Sequence, residues 1–479
     1  MSERFDVVVV GSGAGGGVIA GELAARGRSV LLLELGPYRT AADFRRWEAH
    51  AAHDIWWPIR FAFPAGDFGP GPVALIAGRC VGGSTTINTK VAMRADAEDL
   101  AKWHEASGLL GTDGGPFANA DIDPFYDRIE RYLNVRVRDD FSESTRTVQR
   151  GFEALGANLE AVISYTDEGC VRCGSCLQGC PTNSGKSTQN TWIQRGVVSH
   201  GLTLRSGCAV ERVLTRDGAA TGVQYADGAG ERHTVDAGAV VVAAGTLNTP
   251  GLLTRSGLED PLIGRNLGFH PARLVFGLFD EPQDAHMVYP ITAHCADRRH
   301  DADGGFVVEA VTMQDPIGFS TTLTDEGGPM WGEPLVEAVR KFRHWTGLLA
   351  MTSDDNHGAV IASSDGGDDA YTAEFNGVEI ERLDGALQFS RDALVAAGAT
   401  RTLWTGLVTT HMQGSCRMGS DPARSVVDAN AEAHTVRRLF VGDGSIIPRT
   451  LAANPSLTIM ALALRLADHL HADPSGYLS

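Results

Sequence analysis

Residues 5–10 form a short, mostly apolar run, broken only by Asp6, that halts at Gly11, the pattern of a strand buried on both faces of a parallel sheet. Residues 18–26 carry apolar positions at helical spacing, and residues 29–33 are a second apolar run ending at Glu34. Strand, helix and strand in that order predict a βαβ unit. Residues 56–72, rich in Pro, Trp and Gly, read as a covering loop. Residues 95–165 are mostly polar and helical in pattern, with Trp103, Phe125, Tyr126 and Tyr132 as anchors. Alternation over 203–225 predicts strands, and residues 239–243 are another buried strand before a glycine turn. From 276 to 405 the character changes to alternating runs (306–311, 358–362), acidic turns (363–369) and scattered aromatics. That stretch reads as a mainly antiparallel second domain. Residues 438–441 restore the buried-strand pattern, and a long apolar helix follows from Pro455.

The predicted class is α/β (α+β overall). A discontinuous Rossmann-like domain takes residues 1–40, 73–95, 190–275 and 411–479, and a substrate domain takes 276–410. Residues 41–72 and 96–165 cover them, and 166–189 form a cysteine-rich segment.

Composition changes this picture little. The 479 residues hold 57 glycines without a collagen period, so glycine turns in an α/β protein are the better reading. The net charge of −18 repels phosphate backbones and anionic lipid, so neither nucleic acid nor a membrane surface is an expected partner. No segment has the run of about 20 apolar residues that spans a bilayer. The N-terminus enters a strand with no basic leader, so a cytoplasmic location is expected.

Gly11-Ser12-Gly13-Ala14-Gly15-Gly16 fits G-x-G-x-x-G between a strand and a helix. Gly11 makes the tight turn, Gly13 lets the backbone approach a pyrophosphate, and Gly16 lets the helix pack on the strand. The helix N-terminus then faces the phosphates. Glu34, 18 residues after Gly16, stands at the end of the second strand, placed to accept hydrogen bonds from ribose hydroxyls. The motif alone does not choose between FAD and NAD.

Further segments do. Residues 78–88 form a second glycine turn with hydroxyls and an amide, and residues 243–250 read Ala-Ala-Gly-Thr-Leu-Asn-Thr-Pro. Gly264-Arg265-Asn266-Leu267 is followed by His270. His411-Met412-Gln413-Gly414-Ser415-Cys416-Arg417-Met418-Gly419 precedes Asp443-Gly444-Ser445 and Asn454-Pro455. Together they resemble the glucose–methanol–choline (GMC) oxidoreductases, FAD enzymes acting on alcohols. The resemblance spans most of the flavin domain and little of residues 276–405.

The resemblance implies FAD along Gly83, Ser84 and Asn88, with Gly245 in a second signature and Asp443 and Gly444 at the ribityl and phosphate part. Val210 would read adenine through its backbone. Some relatives link flavin through a histidine at the position of Ile87, so non-covalent FAD is expected. The resemblance also implies that His411 and Asn454 face the flavin from the substrate side. An imidazole can take the proton that an alcohol loses as hydride departs. An amide can hold the alcohol oxygen without competing for that proton. Pro455 suits the first turn of a helix whose N-terminus would favour negative charge on the reduced ring. His270 is expected to serve packing or loop hydrogen bonding rather than chemistry.

Cys170, Cys173, Cys176 and Cys180 read C-x2-C-x2-C-x3-C-P, the ferredoxin spacing, and a similar run occurs in some long-chain-alcohol and sterol-oxidising relatives. An iron–sulfur cluster (4Fe-4S or 3Fe-4S) is expected, with zinc and a metal-free loop as alternatives. A cluster would relay electrons to an acceptor protein or quinone. The expected activity is oxidation of an alcohol, apolar in body, by an FAD dehydrogenase. The alternatives are a flavin-only oxidase that makes peroxide, a lyase that keeps flavin only as structure, and an electron-transfer flavoprotein without its own substrate. Phe306, Met313, Phe319, Met330, Trp331, Phe342, Trp345, Met351, Phe389 and Trp404 are candidates for an apolar pocket, or simply for the second domain's core.

Overall fold

The computed structural model describes residues 3–64, 71–311, 316–320, 322–363, 367–472 and 476–477. Met313 and parts of the expected loop 56–72 and turn 363–369 lie outside the described residues. The described residues form two sheets. The first has seven strands in the order Thr203–Ser206, Val30–Glu34, Glu3–Val10, Arg232–Val242, Ala219–Ala226 and Ala209–Arg216, with Leu439–Val441 also on Arg232–Val242. Its central pairs are parallel and its outer hairpins antiparallel. The long strand Arg232–Val242 pairs with Ala219–Ala226 near its start and with Leu439–Val441 near its end. Strands Glu3–Val10 and Val30–Glu34 flank helix Ala14–Ala25, as the βαβ pattern predicts.

Burial explains the sequence pattern. Val7, Val8, Val9, Leu31, Leu32, Val240 and Val241 have no exposed surface, because helices cover one face and the rest of the protein the other. Helices Ala14–Ala25 and Ser456–Ala472 pack together on this sheet.

The second sheet centres on four antiparallel strands, Ala272–Leu278, Trp345–Thr352, Phe306–Val311 and Ile291–Cys295. It is mainly antiparallel, with parallel pairs at Leu407–Thr409/Val73–Leu75 and Ala370–Thr372/Arg60–Phe63. One face of the four strands, including Val275, Val308, Ala310, Leu348 and Ala350, packs under helix Gly377–Ala396 through Ala386, Ala393 and Leu394. That helix lies within a stretch whose alternation suggested strands. Its Asn376–Glu379 capping box and twenty helical residues show the period changing from 2 to 3.6 there.

Several short strands cross the expected boundaries. Arg60–Phe63, Val73–Leu75, Glu160–Ser164, Arg265–Leu267 and Ala272–Leu278 all join the second sheet. The chain thus passes repeatedly between the layers. The polar segment after residue 95 contains helices Ala97–Ser107, Asn119–Leu133 and Glu143–Ala154. Trp103 and Tyr126 are fully buried there, whereas Phe125 is half-buried and Tyr132 lies at the surface.

Phe440 sits in the middle of the seven-stranded sheet's short strand with no exposed surface. Phe440→Ala is expected to cost about 3–5 kcal/mol, the range for a buried phenylalanine that leaves a cavity. Urea denaturation against the parent checks it.

Candidate active site

A cavity of about 920 Å³ opens where the C-terminal ends of the parallel strands meet the inner face of the second sheet. It is lined by Gly11, Gly13, Glu34, Gly83, Ser84, Asn88, Val210, Gly245, Asp443, Gly444, Asn454, Pro455 and His411. The structure therefore brings together all the expected dinucleotide and catalytic positions except Gly16, which does not line the cavity. A Cβ on Gly16 would meet Gly11 O at 1.9 Å, so its lack of a side chain serves the approach of helix to strand. Gly11 has φ +94°, and a Cβ there would meet Ala243 O at 2.2 Å.

The cradle fits a dinucleotide. A Cβ on Gly13 would meet nothing within 4 Å, so the space above the helix N-terminus is open on the cavity side. Glu34 is buried and accepts hydrogen bonds from Ser12 N (3.0 Å), Ser12 Oγ (2.6 Å) and Gly36 N (2.8 Å). These bonds hold the carboxyl at the strand end against burial, which pushes its pKa up. Asp443 ties two turns together. Its Oδ2 accepts from Gly245 N (2.8 Å) and Thr249 Oγ1 (2.6 Å), and its Oδ1 accepts from Ser445 N (2.8 Å). Val210 lies on the cavity at a register shift in its strand. Ile87 presents hydrocarbon to the same wall.

His411 and Asn454 both face the cavity and are brought together by separate supports. His411 Nδ1 lies 2.9 Å from His270 Nδ1, with the rings nearly perpendicular. His270 Nε2 bonds to the carbonyl of Leu451, which can only accept, so that nitrogen carries the proton. Burial pushes the His270 pKa down to about 4 and holds that of His411 well below its ordinary value, so both rings are neutral near pH 7. Neutral His270 therefore accepts at Nδ1, His411 donates at Nδ1, and His411 Nε2 keeps a free lone pair. The hydrogen-bonding role expected for His270 thus has His411 as its partner, and it sets the tautomer of that ring. The signal in the sequence was slight: one histidine beside the Gly-Arg-Asn-Leu segment.

Asn454 comes from the turn before helix Ser456–Ala472. The covering helices hold that turn: Asp99 Oδ1 accepts from Ala452 N (2.8 Å), Trp103 Nε1 donates to Arg449 O (3.0 Å), and Tyr126 Oη meets Thr458 Oγ1 at 2.7 Å. Asn88 is held by Tyr165 Oη at 2.5 Å.

The remaining walls are largely apolar and include Leu274, Phe276, Val311, Phe319 and Leu349. Of the aromatic and methionine candidates among the described residues, Phe319 lines the cavity. Phe306, Trp345 and Met351 are core, and Trp331 is 82% exposed. Leu274, Phe276, Leu349 and Glu309 were not singled out from the sequence. A lone acid within the apolar run 306–311 was a signal for the last of them.

The four cysteines Cys170, Cys173, Cys176 and Cys180 are unpaired and line a second, small cavity with Tyr289 and Pro290. The chain wraps this cavity with positive φ at Arg172, Gly174 and Gly179. Gly185 N donates to Cys180 Sγ at 3.2 Å. Pro290 also lines the large cavity, as does Leu177 between the third and fourth cysteines. Buried Lys90 donates to Thr85 O on the large-cavity side and attracts Cys176 and Cys180 on the other.

The fold and site define a class: an α/β protein with a dinucleotide cradle whose substrate side is roofed by an antiparallel sheet. Comparison with known proteins agrees. Residues 5–272 and 365–463 match the N- and C-terminal parts of the GMC oxidoreductases. The chain belongs to the GMC oxidoreductase family. It is 27% identical over 96% of its length to 66% of a long-chain-alcohol oxidase of Arabidopsis thaliana. It is 28% identical over 98% of its length to 95% of a 2-methyl-1,2-propanediol dehydrogenase of Mycolicibacterium austroafricanum. Its fold matches that of pyridoxine 4-oxidase from Mesorbium loti with a TM-score of 0.76, at 21% identity, covering 98% of this chain and 99% of that one. Among the described residues no helix is long and apolar enough to cross a membrane.

Two predictions follow from this geometry. Gly13→Val fills the open cradle, so the purified variant is expected to lose its flavin absorbance while far-UV circular dichroism stays that of the parent. The second concerns acid stability. His270 and His411 bind protons more weakly when folded than when unfolded, where an imidazole titrates near ~6.5. Their contribution is complete above that pH and is lost as pH falls toward about 4, the folded value of His270. His270→Asn removes one such group, so its urea midpoint is expected to fall less steeply than the parent's across that window.

Proposed function

We propose that this protein is an FAD-dependent dehydrogenase that oxidises an alcohol with an apolar body to a carbonyl. The observation that carries the reading is the His411–Asn454 pair on the cavity, with the His411 tautomer set by His270. FAD, when bound, supplies the hydride acceptor for the carbinol carbon. Gly11, Gly13, Glu34, Val210 and Gly245 would hold its adenosine and pyrophosphate side, and Gly83, Ser84, Asn88, Asp443, Gly444 and Pro455 its flavin side. With Ile87 at the linking position the cofactor is held non-covalently. Asn454 holds the alcohol oxygen, and His411 Nε2 takes the hydroxyl proton as the hydride leaves. The apolar walls exclude water from the reacting carbon.

The reading that Cys170, Cys173, Cys176 and Cys180 hold an iron–sulfur cluster is supported by their C-x2-C-x2-C-x3-C-P spacing, by the one small cavity they line together and by the amide donor on Cys180. An iron–sulfur cluster there would supply one-electron carriage beside the flavin pocket. That position favours an acceptor protein or quinone over oxygen. Eight unpaired cysteines suit the reducing cytoplasm. The Arabidopsis relative, a long-chain-alcohol oxidase, supports the second reading, a flavin-only oxidase.

Protein purified without air, analysed for iron and sulfide and examined by absorption and EPR spectroscopy before and after dithionite, separates these readings. Flavin bands with a reducible paramagnetic signal support the dehydrogenase. Flavin bands without iron, together with stoichiometric peroxide in air, overturn the relay. His411→Ala is expected to lower kcat by about 10²–10⁴, the usual worth of a general base, with flavin content unchanged. Unchanged turnover in that variant would remove the proton-acceptor role.

A further inference from the structure

Among the described residues, Glu309 is the one acid that the strands of the second sheet turn into the large cavity. In strand Phe306–Val311, alternation turns Glu309 and Val311 inward, while Val308 and Ala310 pack outward beneath helix Gly377–Ala396. Cross-strand register sets Leu349 opposite Glu309 and Leu274 opposite Leu349, so the acid ends a row of leucines on the cavity face. Glu309 has no exposed surface, and among the described residues neither carboxyl oxygen makes a well-formed hydrogen bond, the one polar side chain acting on it being the Asn454 amide. Asn454 Oδ1 is likewise buried and unpartnered. The Asn454 side chain is close enough to Glu309 to act on its carboxyl.

Such an arrangement is costly in a protein by itself. A buried carboxyl with only one amide near it has lost most of its hydration for little in return, and a group left so calls for an explanation, of which completion by a ligand in the cavity is one. The ligand group that completes Glu309 and Asn454 together must offer hydrogen bonds at two neighbouring points.

We propose that Glu309 forms a second polar subsite that binds a hydroxyl on the carbon next to the one oxidised, so that vicinal diols are preferred over simple alcohols. The proposal rests on the reading of His411 and Asn454 as the alcohol-binding pair. The second hydroxyl is held and leaves unchanged. An anionic group is disfavoured, since Arg255, the one arginine on the cavity wall among the described residues, is already paired with Asp369. An ammonium group is disfavoured because burial pushes the Glu309 pKa up to about 7, toward the neutral form that exchanges hydrogen bonds with a hydroxyl.

The test uses the flavin-loaded enzyme and two sets of probes. In turnover, kcat/KM for hexane-1,2-diol is expected to exceed that for hexan-1-ol and hexan-2-ol by tenfold or more. 2-Aminohexan-1-ol is expected to fall below the diol. Glu309→Leu should abolish the diol preference, and Glu309→Gln, which still hydrogen-bonds, should restore most of it. In binding, calorimetry compares 2,3-dimethylbutane-2,3-diol with 2,3-dimethylbutan-2-ol, neither of which carries a hydrogen on its carbinol carbon. The diol is expected to bind at least tenfold tighter to the parent and equally to Glu309→Leu. Equal binding of the two by the parent, or a diol preference that survives Glu309→Leu, overturns the proposal. Preference for the amino alcohol replaces it with a cation subsite. If no alcohol is turned over with any acceptor, the alcohol-oxidation reading fails, and the binding pair still decides the role of Glu309.

Discussion

Everything in this protein hangs on parallel strands that stop in register. Val10 is level with Leu33 and with Val242, and Val242 is level with Val441. Backbone bonds carry the register one residue further: Gly11 N to Leu33 O, Ala243 N to Val10 O, and Gly442 N to Val242 O. The turns that follow therefore leave the sheet at one level. Glycines let them crowd, since a Cβ on Gly11 or Gly15 would strike the backbone of the neighbouring turn. Three stretches of chain separated by roughly two hundred residues then form one cradle.

Buried carboxylates finish that edge. Glu34 and Asp443 each accept several hydrogen bonds from the turns around them. Each bond fixes a loop at the cavity rather than in the core. The price is two acids kept away from water, which is offset only because every turn offers an N–H or hydroxyl. Glu309 shows the opposite condition: an acid with the same burial and, among the described residues, only the Asn454 side chain to act on its carboxyl.

The substrate side depends on packing between layers. His411 hangs from the second sheet's last strand pair and meets His270, which the Leu451 carbonyl orients. Asn454 is fixed from beneath by Asp99, Trp103 and Tyr126 of the covering helices. The imidazole and the amide reach one cavity through different elements, so their separation is set by how the layers dock. Lys90, anchored at Thr85 O, stands between this cavity and the four cysteines. Turns with positive φ at Gly174 and Gly179 carry the chain around the small space that the four cysteines line.

The sequence alone determined the βαβ start, the glycine cradle, the acid at the second strand end and the cysteine spacing. These are local features, each decided by residues within one or two turns of the chain, where apolar period and glycine placement speak directly. It also marked His411 and Asn454, because their neighbours form recognisable segments. It did not show helix Gly377–Ala396 within a β-rich stretch, nor which short strands would join the second sheet. Strands of three or four residues carry too few alternations to declare a partner, and their pairing is won by tertiary contacts. The His270 contact, the supports beneath Asn454 and the isolation of Glu309 belong to the same class. Each joins residues about a hundred or more positions apart, and only the docking of two sheets and a helical cover brings such residues within hydrogen-bonding distance.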